Sequence, residues 1–230
     1  MIKENLNNVR ERIRKAAERS GRNVSEIILV CVTKEAAFDK VKETIQAGVS
    51  DIGENRVQEA VRKYGLLNKE SGIRWHLIGH LQTNKAKKAI QVFDLIHSVD
   101  SLRLAEKIQE EARKAGKMQS ILVEVNVSGE EAKDGVRPEG LPDLIKAISG
   151  MKNLMLLGLM TIAPYSERPE DSRPHFRRLR ELRETLLSYN CDNIDMKHLS
   201  MGMSGDFEVA VEEGADIVRI GTSIFKGETR

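Results

Sequence analysis

The chain has 230 residues, with 37 Lys+Arg against 35 Asp+Glu and a formal net charge of +2. At 40% apolar and 31% charged residues it excludes disorder, collagen-like sequence and a disulfide scaffold, and the balanced charge gives no reason to expect a nucleic acid partner. Its longest apolar runs, 27–32 and 154–160, fall far short of the roughly 20 residues of a membrane span. With no secretory signal and only Cys31 and Cys191, the expectation is a cytoplasmic protein with reduced thiols and no membrane partner.

The first element reads as a helix. Ile2, Leu6, Val9, Ile13 and Ala16 recur at spacings of four and three, which predicts an amphipathic helix within residues 1–22, packed against one end of the body that follows. From there short apolar, β-branched runs alternate with longer stretches of helical periodicity. The strand candidates are 27–33, 50–54, 74–79, 95–99, 120–126, 155–162, 195–201 and 217–222. The helix candidates are 38–47, 56–67, 84–92, 101–115, 141–149, 173–188 and 205–213. Such alternation implies parallel pairing through right-handed crossovers, and eight strands are the count of a (β/α)8 TIM barrel. A doubly wound open sheet is the alternative, but no glycine-rich nucleotide fingerprint follows the first strand. No stretch reads as a linker, so residues 1–230 are expected to form one domain.

Active sites of such barrels form at the C-terminal ends of the strands. The first strand ends Val30-Cys31-Val32-Thr33-Lys34, and alternation puts Lys34 with Val30 and Val32. If that face is the barrel axis, Lys34 reaches the mouth with a buried stem, as a desolvated amine able to attack an aldehyde. The alternative is a lysine snorkelling to solvent. The same alternation turns Cys31 toward the helices, as a small core residue.

After the seventh strand the chain reads Ser200-Met201-Gly202-Met203-Ser204-Gly205-Asp206, and after the eighth Arg219-Ile220-Gly221-Thr222. Small residues let backbone N–H groups approach an anion, and the loops after strands seven and eight are a frequent phosphate site in barrels. Ser-Gly-Asp is equally an ordinary helix N-cap. Arg219 shares a face with Ile217 and points inward, where it needs an anion or an acidic neighbour such as Glu54. Asn55, ending the second strand, either faces the mouth or caps the next helix. An amine, a phosphate cradle and an inward arginine on one mouth fit a phosphorylated aldehyde held as a Schiff base, and pyridoxal 5'-phosphate is such a compound.

The chain resembles the pyridoxal phosphate homeostasis protein family, single-domain relatives of the alanine racemase-type barrels. The resemblance rests on Val32-Thr33-Lys34, Gly53-Glu54-Asn55-Arg56, Trp75-His76-Leu77-Ile78-Gly79-His80, Ile96-His97-Ser98-Val99-Asp100, Lys133-Asp134-Gly135, Gly158-Leu159-Met160-Thr161, Leu199-Ser200-Met201-Gly202-Met203-Ser204 and Val218-Arg219-Ile220-Gly221-Thr222. It implies that Lys34 forms the internal aldimine with pyridoxal 5'-phosphate, and that Ser200, Ser204, Gly221 and Thr222 make the phosphate cradle. It also implies Arg219 as partner of the pyridine nitrogen, Asn55 as a contact to the cofactor's polar edge, and Met160 as part of the pocket wall. One departure is Phe225-Lys226-Gly227, where the family pattern has Phe followed directly by Gly.

Arginine carries donors only and leaves a pyridine nitrogen unprotonated, a weak electron sink. A two-base racemase also needs a second proton donor, which racemases of this type take from a partner's additional domain. The sequence ends about eight residues past the last strand candidate, so no such domain is expected. Tyr165 is the one tyrosine near the mouth, and it reads as a surface-loop residue. The expectation is a cofactor carrier without substantial catalysis, a monomer, handing pyridoxal phosphate to apoenzymes. The alternative is a weak amino-acid racemase. The arginine-rich stretch 175–180 reads as a solvated barrel helix with i,i+4 pairs Arg177–Glu181 and Arg180–Glu184. The five histidines show no ligand spacing, so no metal is expected.

Overall fold

Eight short runs, most of them rich in Val, Ile and Leu, pair in parallel, each with the next along the chain, and the last closes on the first. The computed structural model describes residues 1–67, 72–131, 133–187, 189 and 191–226. In chain order the elements are α1 (Ile2–Arg19), β1 (Ile28–Val32), α2 (Phe38–Gln46), β2 (Asp51–Glu54), α3 (Val57–Leu67), β3 (Arg74–Leu77), α4 (Ala86–Val92), β4 (Leu95–Val99) and α5 (Leu102–Lys114). They continue with β5 (Gln119–Glu124), α6 (Leu141–Ser149), β6 (Leu154–Met160), α7 (Arg173–Leu186), β7 (Ile194–Ser200), α8 (Phe207–Glu212), β8 (Ile217–Ile220) and α9 (Thr222–Phe225), with short 3-10 turns between some of them. This is the (β/α)8 barrel that the alternation implies.

Alternate side chains of each strand point outward to the helices or inward to the axis. The outward set, including Cys31, Ile52, Leu77, Ile96, Val123, Leu199 and Val218, merges with the apolar helix faces into one core. There burial pushes the Cys31 thiol up to about 12, so it packs as an inert hydrophobe. Inside the barrel a smaller apolar cluster joins Val30, Leu95, Leu122, Met160 and Ile217.

Helix α1 buries Ile2, Leu6, Val9, Ile13, Ala16 and Ala17. It packs on α8, α9 and α2, along the side of the barrel and not across an end. The reason is a gap in the outer ring. Seven crossovers supply seven helices, and α9 after β8 has only four residues, so α1 fills the eighth place. Arg12 binds Glu208 at 2.7 Å, Arg22 binds Asp216 at 2.7 Å, and Asn5 donates to the Ile224 carbonyl at 3.0 Å.

Helix α7 ends at Leu186, and Ser188 of the expected helix lies outside the described residues. Its arginines serve a docking role. Arg173, Arg177 and Arg180 reach Glu213, just past α8, at 3.1, 3.0 and 3.0 Å. The Arg180–Glu184 pair forms at 3.8 Å, but Arg177 turns to Glu213 and leaves Glu181 to Arg178 at 3.6 Å.

Candidate functional site

Strand β1 stops at Val32, and the next residues turn. The Thr33 carbonyl accepts from the Ala36 N–H at 3.1 Å, which puts Lys34 and Glu35 at the corner. Glu35 has φ = +61°, a region that non-glycine residues seldom adopt and that costs on the order of 1 kcal/mol. Something must hold the turn there. Lys63 of α3 donates to the Thr33 carbonyl and to Glu54 Oε1, both at 2.6 Å, and the Thr33 hydroxyl donates to the same oxygen at 2.5 Å. Glu54 is therefore the partner of Lys63, not of Arg219. Lys63 and Glu54 are both buried, and this closed ion pair clamps the ends of β1 and β2 to α3 beneath the turn.

Lys34 itself is exposed, with no hydrogen bond or ion pair among the described residues. The expected buried stem is absent, because the turn carries Lys34 out of the strand's alternation. It faces a cavity of about 890 Å³ over the C-terminal ends of the strands, lined also by Val32, Asn55, Tyr165, Ser204, Arg219, Gly221 and Thr222, with Arg12 at one side. That volume suits a small-molecule site, and Lys34, Arg12 and Arg219 make it cationic.

Each lining residue has a local cause. Gly221 lets the start of α9 lie against β1, since a Cβ there would come within 2.9 Å of the Val32 carbonyl oxygen. Gly202, at φ = +90°, turns the chain after β7 where a Cβ would meet Ala210 at 2.5 Å. Asp206 does not cap α8 through its side chain. It folds back to accept from the Met203 N–H at 2.7 Å and the Ser172 hydroxyl at 3.1 Å, pinning the loop that presents Ser204. Ser204 Oγ accepts from the Ser223 N–H at 3.4 Å. The Asn55 side chain makes no capping bond among the described residues. It is shared between this cavity and a neighbouring one of about 580 Å³ that Arg56, His80 and Lys85 also line.

Arg219 is buried at the cavity floor, where it donates to Ser200 Oγ at 2.7 Å and to the Thr161 carbonyl at 2.9 Å. Burial pulls its pKa down to about 10, with Glu124 and Asp206 opposing, so it stays cationic at neutral pH. Ser200 and Met160 do not line the cavity. Ser200 is fully buried under Arg219, and Met160 belongs to the apolar cluster below.

Beneath Ser200 the polar contacts continue. His97 Nδ1 lies 2.9 Å from Ser200 Oγ, His97 Nε2 lies 2.9 Å from His76 Nδ1, and His76 Nε2 lies 2.9 Å from Asp51 Oδ1. Arg74 pairs with Asp51 through two bonds of 2.8 and 2.9 Å at the opposite end of the barrel. Burial would raise the Asp51 pKa, but hydrogen bonds from His76, Arg74 and Ser50 hold it at about 2. Burial, with His76, Arg219 and His198 nearby, drives the His97 pKa well below the usual range. His198 Nδ1 is buried without a partner among the described residues.

That line escaped sequence reasoning, and so did two further features. Burial pushes Glu124, ending β5, up to about 7, opposed by Arg219 and reinforced by Asp134 and Asp100. The ligand-type atoms of His80, Asp100 and Asp134 lie within 4.8 Å of one another at the rim, drawn together from three loops with no motif spacing. Among the described residues no helix is long and apolar enough to cross a membrane.

Residues 5–229 match the family model for the alanine racemase N-terminal domain. A protein of Aquifex aeolicus named pyridoxal phosphate homeostasis protein is 50% identical over 222 residues, 96% of each chain. A solved structure of an unknown protein from Bifidobacterium adolescentis has a TM-score of 0.92 at 38% identity, covering 97% of this chain and 94% of that one. The structure of PipY from Synechococcus elongatus with PLP bound has a TM-score of 0.84 at 32% identity, covering 98% and 100%.

Proposed function

The chain belongs to the pyridoxal phosphate homeostasis protein family, within the alanine racemase N-terminal domain fold, and on that premise we propose that it binds pyridoxal 5'-phosphate and serves its homeostasis by buffering and delivering it. The observation that carries this reading is the convergence of Lys34 and Arg219 on one cationic cavity of about 890 Å³. The cofactor supplies an aldehyde for an amine and a pyridine ring able to withdraw electrons. Lys34 is the attachment point, presented by its clamped turn. Ser204, Gly221 and Thr222 hold the phosphate, and Asn55 faces the polar edge of the ring. Arg219 donates toward the ring nitrogen and never accepts, which leaves that nitrogen without a proton. Ser200 and Met160 act from below, Ser200 by holding Arg219 and Met160 by filling the floor.

On this reading the protein is a carrier without substantial catalysis. Transfer to apoenzymes suits an amine open to solvent, and a reducing cytoplasm suits a chain with free Cys31 and Cys191. The protein works as a monomer, its barrel a single unit. Weak racemisation is the second reading, favoured by Tyr165 at the cavity rim. Addition of pyridoxal 5'-phosphate to the purified protein is expected to give a yellow absorption band, which borohydride fixes on the peptide holding Lys34. Label spread over surface lysines with Lys34 untouched overturns the reading. Exchange of the alanine α-proton above the rate with free cofactor would move the assignment to the racemase.

A further inference from the structure

A buried polar contact costs stability unless every donor meets an acceptor, so the chain of contacts beneath the cavity has to obey a proton inventory. Its upper end fixes the direction. Arg219 only donates, so Ser200 Oγ accepts there at 2.7 Å and must spend its own O–H elsewhere. The neighbour within reach is His97 Nδ1 at 2.9 Å, which therefore carries no proton. His97 is a neutral ring, so its proton sits on Nε2 and is donated to His76 Nδ1 at 2.9 Å. His76 in turn holds its proton on Nε2, aimed at Asp51 Oδ1 at 2.9 Å. Asp51 is ionised and also takes Arg74 at the far face. Five side chains from β2, β3, β4, β7 and β8 thus form one line through the barrel in which every proton points the same way.

We propose that Asp51, His76, His97 and Ser200 are positioning residues for the cavity: a one-way hydrogen-bond chain that anchors Arg219 and keeps it a donor. The inference rests on the reading of Arg219 as the partner of the cofactor ring, while every contact of the chain runs between protein side chains. Running it backward would require Arg219 to accept a proton, which a guanidinium cannot do, so the line fixes charge and orientation and conducts nothing. It also ties the buried Arg219 to an ionised carboxylate, Asp51, through the two rings, in addition to the acidic groups of Glu124 and Asp206 that act on it directly. The charged and titratable groups that face the chain are Arg74 at its foot, His198 beside His97, and Glu124 and Asp206 near Arg219.

The test begins with the wild-type protein free of cofactor. Long-range proton–nitrogen NMR correlations distinguish the two neutral tautomers and the cation of each ring. Nε2–H on both His76 and His97 at neutral pH is the expected result, and Nδ1–H or a cationic ring at His97 overturns the chain. This measurement needs no variant to fold and no ligand, so it stands even if pyridoxal 5'-phosphate does not bind. Titration with pyridoxal 5'-phosphate then compares His97→Phe with wild type. A roughly tenfold weaker Kd, with a displaced absorption band, is expected for an arginine that has lost its anchor. An unchanged Kd and band in a folded His97→Phe overturns the positioning role while leaving the cofactor reading intact. Absence of binding by the wild type overturns the cofactor reading alone.

Discussion

The inside of the barrel is lined in two ways. Val30, Leu95, Leu122, Met160 and Ile217 form a plug that any barrel of this width needs, and its members are interchangeable by volume. The line from Asp51 to Arg219 fills the same interior with groups that are replaceable only by side chains with the same donors and acceptors. Of the two, the apolar plug stabilises by area, while the polar line is close to neutral at best and turns costly once a member is missing. A protein that keeps the second in addition to the first is keeping it for the site above.

Four substitutions put that contrast at risk. The largest effect belongs to the plug: Leu122→Ala, at a fully buried position, is expected to cost roughly 3 to 4 kcal/mol in denaturant unfolding and to leave pyridoxal 5'-phosphate affinity unchanged. A matching loss of affinity would show that the two linings are one. Next comes Glu124→Gln. The wild-type carboxyl holds its proton up to about pH 7 in the folded chain against 4.5 in the unfolded one, so burying its charge costs stability above pH 7, and that cost fades as the pH falls toward 4.5. The variant, which has no charge to bury, should therefore gain on wild type as the pH rises through that window, by about 3 kcal/mol at 1.36 kcal/mol per pH unit. Parallel stability curves would refute the placement. Ser200→Ala leaves an Arg219 N–H and His97 Nδ1 without partners and is expected to cost about 2 kcal/mol. A loss under about 0.5 kcal/mol would mean that the line tolerates gaps. The smallest effect lies above both linings. Glu35→Gly relaxes the φ = +61° corner beside Lys34, and a gain of at most about 1 kcal/mol in stability is expected, offset by the entropy of the freed glycine.

How far these features could be read in advance follows from what each depends on. Every strand and every helix from α1 to α8 shows in the sequence, because periods of two and 3.6 are local properties. Lys34, Arg219 and the serine–glycine loops stand out because they end apolar runs. What stays hidden is set by contacts between distant residues. His76 and Asp51 are 25 apart, and His97 and Ser200 are 103 apart, so no spacing announces the line. The available clue was a polar residue at an inward position of five different strands. The exposure of Lys34 and the uncapping side chain of Asn55 each stood as one of two readings, since each is decided by a turn one or two residues long and not by strand alternation. The place of α1 depended on the shortness of α9, of which only Thr222 falls in the strand candidate 217–222 and the rest carries no element reading.

That borrowed helix has a consequence during synthesis. Apart from α2, the partners of α1 come some 193 to 219 residues later, as Arg19 with Glu212 and Asn5 with the Ile224 carbonyl illustrate. At roughly 5–20 residues per second the ribosome takes on the order of ten seconds or more to produce them. Throughout that interval an amphipathic segment waits with its greasy face bare, while the sheet still has two open edges. The nascent chain is thus at its most adhesive until β8 and α9 have emerged, when closure of the ring and burial of its first helix coincide.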